Sequence, residues 1–393
     1  MIDVQKQSQE LRDSYLQLQA GAAAADAAEA ERAGADDVKY GASQWQLIWL
    51  RFQRNRAAMV GGVVVVLFYL TAAFGNFLVP YTLDTRFTQY LYLPPQPIHF
   101  FDEGRFSPFV YGIKSEFDDR LRRIYTVDTS TKIPVRFFAE GEPYKLFGFI
   151  PANRHLFLAD EGGIVSLLGT DRQGRDMLTR IVLGSQISLT VGLVGVMLSL
   201  VFGSILGVTS GYYGGWVDNA IQRLIEVVRS FPSIPLWMAL AAALPATWPP
   251  LRTYFAVTII LSLIGWTWLA RQLRGIVLSL RQEDYIMAAR LAGASDARII
   301  FRHLIPASLG QIIVVSTLAM PAMILAETSL SFLGLGLRPP LTSWGVLLQE
   351  AQNLESLALY PWVFTPAVFI VIVILAFSFL GDGLRDAADP YTV

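Results

Sequence analysis

The sequence predicts an all-α membrane protein of six transmembrane helices, with an α/β or β-rich extracytoplasmic insertion between the first and the second. Three observations carry this. Of the 393 residues 53% are hydrophobic and only 16% charged, well below the roughly one quarter charged of a soluble domain. Mean hydropathy is +0.43. Apolar runs long enough to cross a bilayer recur along the chain, and residues 80–180 interrupt them with charged, aromatic and turn-rich sequence.

Residues 1–43 are polar, alanine-rich and acidic, without an early apolar core, and are expected to form a disordered cytoplasmic tail. Residues 44–58 interleave Trp45, Leu47, Ile48, Leu50 and Phe52 with Arg51, Arg54 and Arg56, the pattern of an amphipathic helix lying at the membrane surface. Met59–Val79 is uncharged and of spanning length, about 30 Å at the helical rise. Within residues 80–180 the alternating runs KIPVRFF and YKLFGFI suggest strands, and LPPQP, FDEGR and AEGEPY suggest turns. This domain is expected outside the cytoplasm, as a docking surface.

A helical membrane core, spans two to six, is expected over residues 181–393. In the second span, Ile187–Val208, small residues recur every fourth position: Gly195, Ser199, Gly203, Gly207 and Gly211 on one line, Gly184, Ser188 and Gly192 on a neighbouring one. That spacing places each set along one flank, where backbones can approach closely. The third span is expected over Phe231–Ala246, with Pro232 and Pro235 bending or breaking the helix. Before it, Arg223, Glu226 and Arg229 share a face at i,i+3 spacing. The fourth span, Tyr254–Leu269, leads to a polar segment, residues 280–306. The stretch Arg271–Arg302 holds six arginines and three acids, whereas Leu337–Tyr360 holds one arginine, which puts the 280–306 loop and both termini in the cytoplasm. A fifth span begins near Ala307 and includes Glu327, placed near the far edge of the hydrocarbon; a sixth runs over Pro361–Leu380.

The loop itself predicts a rigid hairpin. Tyr285–Ala292 is a short helix with Ala288, Ala289 and Ala292 as its small residues, and Gly293 ends it in the left-handed conformation. Ser295 then caps a second helix whose first turn carries Asp296. The spacing Met287-Ala288-Ala289, Gly293, His303, Ile305-Pro306 resembles the EAA loop of ABC importer permeases, with Met287 in place of the acid, His303 of the isoleucine and Ile305 of the leucine.

Three further stretches resemble the C-type permease subunits of oligopeptide and dipeptide ABC importers. LGTDRQGRD, with Gly169, Thr170, Asp171, Gly174, Arg175 and Asp176, is similar to the signature before their second helix. RLIEVVRSFP is similar to their RxxDxxxxFP pattern, with Glu226 for the acid. ETSLSFLGLGLRPPLTSWG, with Glu327, Ser331, Phe332, Gly334, Gly336, Ser343, Trp344 and Gly345, is similar to their E-x-x-LSFLGLG run. The resemblance implies a MetI-like core paired with a second, B-type permease as a heterodimer. It further implies two cytoplasmic ATPases that bind ATP and Mg, an extracytoplasmic binding protein delivering peptide or a related small solute, and a bacterial inner membrane. By it the ATPase-coupling loop comprises Tyr285, Met287, Ala288, Ala289, Arg290, Gly293, Ala294, Ser295, Arg298, His303 and Pro306. Arg223, Glu226, Phe231, Pro232 and Glu327 are expected at the pathway or a gate; for Glu327 a structural role holding the outer loop is the competing reading.

Function classes are excluded more directly. With no cysteine there is no disulfide or thiolate chemistry. None of Lys6, Lys39, Lys114, Lys132 and Lys145 follows a glycine, so the chain has no Walker A loop and binds no nucleotide by that motif. H-E-x-x-H and G-x-S-x-G are absent, so no catalytic or metal-binding residues are assigned, and near-zero net charge gives no argument for nucleic acid. The alternative to an ATP-driven permease is an ion-coupled secondary transporter, which requires inverted repeats and acids near the bilayer midplane.

Overall fold

A computed structural model describes residues 44–388 except 118, 120–122, 161–162 and 246. The expected tail, residues 1–43, lies outside the described residues. The chain divides into two compact units, residues 1–55 with 386–393, and Arg56–Arg385. In the first, α1 (Gln44–Arg54) carries Arg51 and Arg54 in its last turn. The amphipathic helix therefore stops before residue 58, at Asn55, whose amide donates to the Phe52 carbonyl.

The second unit is mostly helical, with a small sheet. Among the described residues five helices are long and apolar enough to cross a membrane, or up to six if one bent pair forms a single span. The first is α2 (Arg56–Ala73). It packs on the last span through edge-on ring pairs, Phe68 with Phe369 and Tyr69 with Phe377. A Cβ at Gly61 would lie 2.6 Å from the Ala376 carbonyl oxygen, so the two backbones touch.

The insertion is an antiparallel meander of β1 (His99–Asp102), β2 (Arg105–Phe117), β3 (Arg123–Leu146) and β4 (Ile150–Ala159), in that order. The long β3 is shared. Its first half, up to Pro134, pairs with β2, and its second half, from Val135, pairs with β4. Where the two hairpins meet, Val110, Val135, Phe157, Ile164 and Val165 bury a small core with Tyr81 and Leu93. His155, on β4, is buried and ties the sheet to the end of the first span: Nδ1 lies 2.6 Å from the Val79 carbonyl and Nε2 3.0 Å from that of Glu142.

Then comes α3 (Met177–Tyr213), a continuous helix of 37 residues. It begins ten residues before the expected Ile187, because Arg180, Ser185 and Gln186 interrupt the apolar run of its first turns. Both small-residue lines are filled by neighbours, the first of them by two in succession. Cβ atoms at Gly203, Gly207 and Gly211 would meet the backbone carbonyls of Trp266, Ala270 and Arg274 at 2.9, 2.5 and 2.9 Å. These belong to α6 (Pro250–Leu280), reached through α4 (Gly215–Ser230) and α5 (Ser233–Ala242). Gly192 and Gly195 instead face Ile324 and Met323 of the fifth span.

The third span differs from expectation. The helix after Pro232 has ten residues, about 15 Å, half a hydrocarbon thickness. It meets α4 at 82°. Phe231, which precedes a proline, is extended (φ −88°, ψ 135°), as the steric demand of the following ring requires. The fourth helix is longer than expected and runs past Arg271 and Arg274 to Leu280. The loop helices are α7 (Asp284–Leu291) and α8 (Asp296–Ile299), followed by a π-helical turn at Ile300–Leu304. The elements that follow include α9 (Leu309–Phe332), α10 (Trp344–Glu350) and α11 (Pro366–Ala388).

Candidate functional site

The loop is the hairpin that its sequence dictates. Gly293 has φ +80° and ends α7. The Gly293 amide donates to the Arg290 carbonyl and the Ala294 amide to that of Ala289, both at 3.0 Å. This is the double hydrogen bond of a Schellman cap, which consumes carbonyls that the helix end leaves open. Ser295 caps α8 by accepting from the Arg298 amide. Ile286, Ile299 and Leu304 are fully buried against Val208, Leu273, Val277 and Ile312, so three helices seat the hairpin. Polar clamps add direction. Tyr212 donates to Asp296 at 2.7 Å, the Arg290 guanidinium lies 5.3 Å over the Tyr212 ring, and Arg274 makes a bidentate 2.6 Å contact with Asp218.

What remains outward is a mixed apolar and basic face. Tyr285, Met287 and Leu291 are exposed, Leu291 at 90%, as are Ala288, Arg290, Arg298 and Pro306. His303 and Ala289 are half-buried, His303 with its ring 6.4 Å from that of Tyr285. Burial, and then the charge of Glu283, push the Tyr285 phenol above its ordinary pKa. Met287, standing where an acid was expected, is on this outward face. Sequence reasoning missed Arg274 as the partner of Asp218, having counted it only among the arginines of the Arg271–Arg302 stretch. Its signal was weak, an arginine and an aspartate 56 residues apart.

At the other end of α3 the signature LGTDRQGRD folds into a polar knot. Gly169 and Gly174 adopt φ +74° and +73°. Thr170 receives the Leu93 amide at 2.8 Å and the Trp362 indole on its carbonyl at 3.0 Å. Asp176 caps α3 by accepting from the Thr179 amide at 2.7 Å; burial raises its carboxyl pKa, and hydrogen bonds from Ser166 and Thr179 oppose that. Asp171 accepts from Arg175 and Arg180, both at 2.7 Å, and Glu350 of α10 accepts from the same two arginines at 2.7 and 2.6 Å. Two cations and two anions thus lock α10 onto the start of α3. Arg180 and Glu350 were not anticipated, because nothing in local spacing joins residues 170 apart.

Glu327 is the hub of the third signature. It is fully buried in protein. Ser331 and Ser343 each donate to Oε1 at 2.8 Å, and Ser188 to Oε2 at 3.3 Å. Each serine oxygen also receives a backbone amide, from Leu337, Val346 and Trp344 respectively. The carboxyl therefore organises the chain between α9 and α10. Gly336 and Gly345 pack against Ser331, Gly334 takes φ +77°, and the fully buried Trp344 donates its indole N–H to the Ile181 carbonyl. Phe332 ends α9, its carbonyl accepting from Gln352 at 2.5 Å.

The expected pathway residues do not converge. Arg223 and Glu226 pair with each other at 2.7 Å on an exposed face. Phe231, just before the Pro232 break, lines a cavity of about 640 Å³ with Arg229, Trp237, Trp268 and Met323. Glu327 does not line that cavity.

A bundle of apolar helices carrying an exposed capped hairpin at one end and a locked polar surface at the other is a multi-pass membrane permease. The chain belongs to the binding-protein-dependent transport system inner membrane components: that family's model matches residues 199–392, and the model for the N-terminal TM domain of oligopeptide transport permease C matches residues 43–95. The oligopeptide transport system permease protein OppC of Bacillus subtilis is 31% identical over 94% of this chain and 95% of its own. The glutathione transport system permease protein GsiD of Pectobacterium atrosepticum is 32% identical over 88% and 91%. The dipeptide transport system permease protein DppC of Alkalihalophilus pseudofirmus is 43% identical over 56% and 71%. Among solved structures, inward-facing MetNI methionine ABC transporter aligns at 20% identity and a TM-score of 0.43, over 54% of this chain and 97% of its own.

Proposed function

We propose that this chain is the C-type half of the membrane channel of an ATP-driven importer of peptides or related small solutes. It pairs with a B-type permease and couples through residues 284–306 to one of two cytoplasmic ATPases, while a binding protein delivers substrate on the opposite side. ATP and Mg are bound by the ATPases, not by this chain. The core is of the MetI-like type, with α4 and α5 together as the bent third of six spans. Orientation follows from the loop: hairpin and both termini cytoplasmic, sheet outside. The observation that carries the reading is the hairpin. It is fixed from beneath by Ile286, Ile299 and Leu304 and capped at Gly293, yet presents Tyr285, Met287 and Leu291 outward. A rigid element with an apolar outward face suits a partner's groove, and transport then follows from the partner's differential affinity for two states of the permease pair.

The test is reconstitution of the co-purified complex in liposomes. ATP-dependent uptake of a short peptide is expected, insensitive to collapse of the proton gradient. Gly293→Pro, which demands φ near −65° where the backbone has +80° and removes the amide bonded to Arg290, is expected to abolish coupling. Gly293→Asn, tolerant of the left-handed region, should retain it. Uptake that persists without any ATPase and follows the proton gradient would refute the reading.

A further inference from the structure

The turn between β3 and β4 carries aromatic residues where turn chemistry asks for small polar ones. The Phe149 amide donates to the Leu146 carbonyl at 3.2 Å, with Phe147 at φ +53° and Gly148 at +82° between them. Such a turn ordinarily takes Asn-Gly. A phenylalanine in the left-handed region is strained. Neither ring is buried in return: Phe147 is 49% exposed and Phe149 74%. Beside them on the second half of β3, Phe138 also has φ +53° and is exposed.

The position of this tip supplies its partner. Along α2 the residues Val60, Val63, Leu67, Leu70 and Phe74 are exposed at alternating steps of three and four, a single unpartnered apolar stripe along the helix. The stripe does not stop at the helix end. The Phe74 ring packs edge-on against Phe147 at 5.5 Å, Phe147 lies 6.5 Å from Phe149, and Phe77 lies 6.0 Å from Phe138. α2 has 18 residues, about 27 Å, so Phe74 stands at the edge of the hydrocarbon. The tip stands beside it at the same level, in the zone where amphipathic and aromatic groups enter a bilayer surface. Lys145, exposed on the strand just above, is placed to meet lipid phosphates.

We infer that the β3–β4 tip, Phe147 and Phe149 with Phe138 and Ile150, is a lipid-binding anchor that dips into the bilayer interface next to the first span and holds the sheet against the membrane. The inference requires only that α2 spans the bilayer, and stands apart from the transport reading.

Because the chain has no cysteine, single substitutions Phe149→Cys and Ile150→Cys can be spin-labelled in the full chain. Val66→Cys on the exposed side of α2 and Phe117→Cys at the end of β2 serve as references. In phosphatidylcholine nanodiscs, collision with oxygen and with a water-soluble nickel chelate is read by electron paramagnetic resonance. The labels at 149 and 150 are expected to favour oxygen, shifted toward the ratio at 66 and away from that at 117. Ratios matching position 117 would overturn the inference. So would labels shielded from both reagents, which would mean protein cover.

Discussion

Removing Arg180 from the knot at the head of α3 should cost far more than removing an ordinary surface charge, and the cost should be recoverable. Arg180 is 2% exposed and gives Nη1 to Asp171 at 2.7 Å and to Glu350 at 2.6 Å. Arg180→Met leaves two carboxylates sharing Arg175, a net negative charge in a largely closed space. Breaking a buried pair in this way costs ~3–5 kcal/mol. The carboxylate of Glu350 retains 20% exposure, which admits some water and places the expectation at the lower end, about 3 kcal/mol. Arg180→Met with Glu350→Leu removes one charge of each sign and leaves Asp171 with Arg175 at 2.7 Å. That double variant is expected to recover ~1–3 kcal/mol relative to the sum of the two singles, the coupling of groups in one network. Denaturant titration of the purified chain in detergent measures this, followed by tryptophan fluorescence; Trp362, bonded to Thr170 at 3.0 Å, reports beside the knot. A double variant that loses the full sum of the singles would refute the network and reduce the four charges to independent contacts.

Other expectations follow from single positions. A Cβ at Gly207 would lie 2.5 Å from the Ala270 carbonyl, so Gly207→Ala should destabilise by ~1–3 kcal/mol through overpacking. Gly275 in α6 has open space around its Cβ position, so Gly275→Ala should stabilise by ~0.5–1 kcal/mol; the same titration checks both signs. Glu142 ties β3 to the chain after the first span, accepting from the Thr82 and Thr85 hydroxyls at 2.8 and 2.5 Å. Partial burial pushes its pKa up, but hydrogen bonds from Thr85 and Thr82 outweigh this, and its folded pKa lies below the ordinary value. Its contribution is therefore complete above the unfolded glutamate pKa, about 4.3, and is lost as pH falls through the lower folded value. Proteolysis of the sheet should accelerate across that acidic window in the parent chain, and Glu142→Gln should flatten the dependence; an unchanged profile in the variant would count against the tie.

Much of this architecture was legible because it rests on local rules. A four-residue spacing of small side chains can only be a flank, and Gly203, Gly207 and Gly211 indeed meet α6 backbone. Gly293, Ser295 and Asp296 spelled out a cap, a turn and a new helix start, and the hydrogen bonds follow that order. What was not legible depends on distant partners. The start of α3 was missed because the span was begun at the first long apolar run, Ile187, and Arg180 and Gln186 before it gave no sign of the Glu350 and Ala72 carbonyl partners that receive them. Glu327 was placed by counting along one helix, which gives its depth but not its surroundings; three serines from separate segments enclose it. The third span was overestimated because hydropathy continues past Ala242 while the helix does not. Pro232 marked the 82° break, whereas Pro235 sits in the first turn of α5 and does not interrupt it.

The two lines of small residues on α3 also explain how one helix serves both ends of the molecule. At 37 residues it is about 55 Å long, nearly twice the hydrocarbon thickness. Gln186 reaches the Ala72 carbonyl near the end of α2, so Arg180, six residues earlier, projects about 9 Å further from the membrane centre. At its other end Tyr212 holds Asp296 of the hairpin. A single helix rotating freely would orient neither side chain. Here Gly203, Gly207 and Gly211 are pressed on α6, and Gly192 and Gly195 on α9, so rotation either way drives a Cα into one neighbour or opens a gap at the other. Two contacts on different flanks fix the azimuth where one would only fix the distance, and that azimuth aims Arg180 at Glu350 and Tyr212 at Asp296.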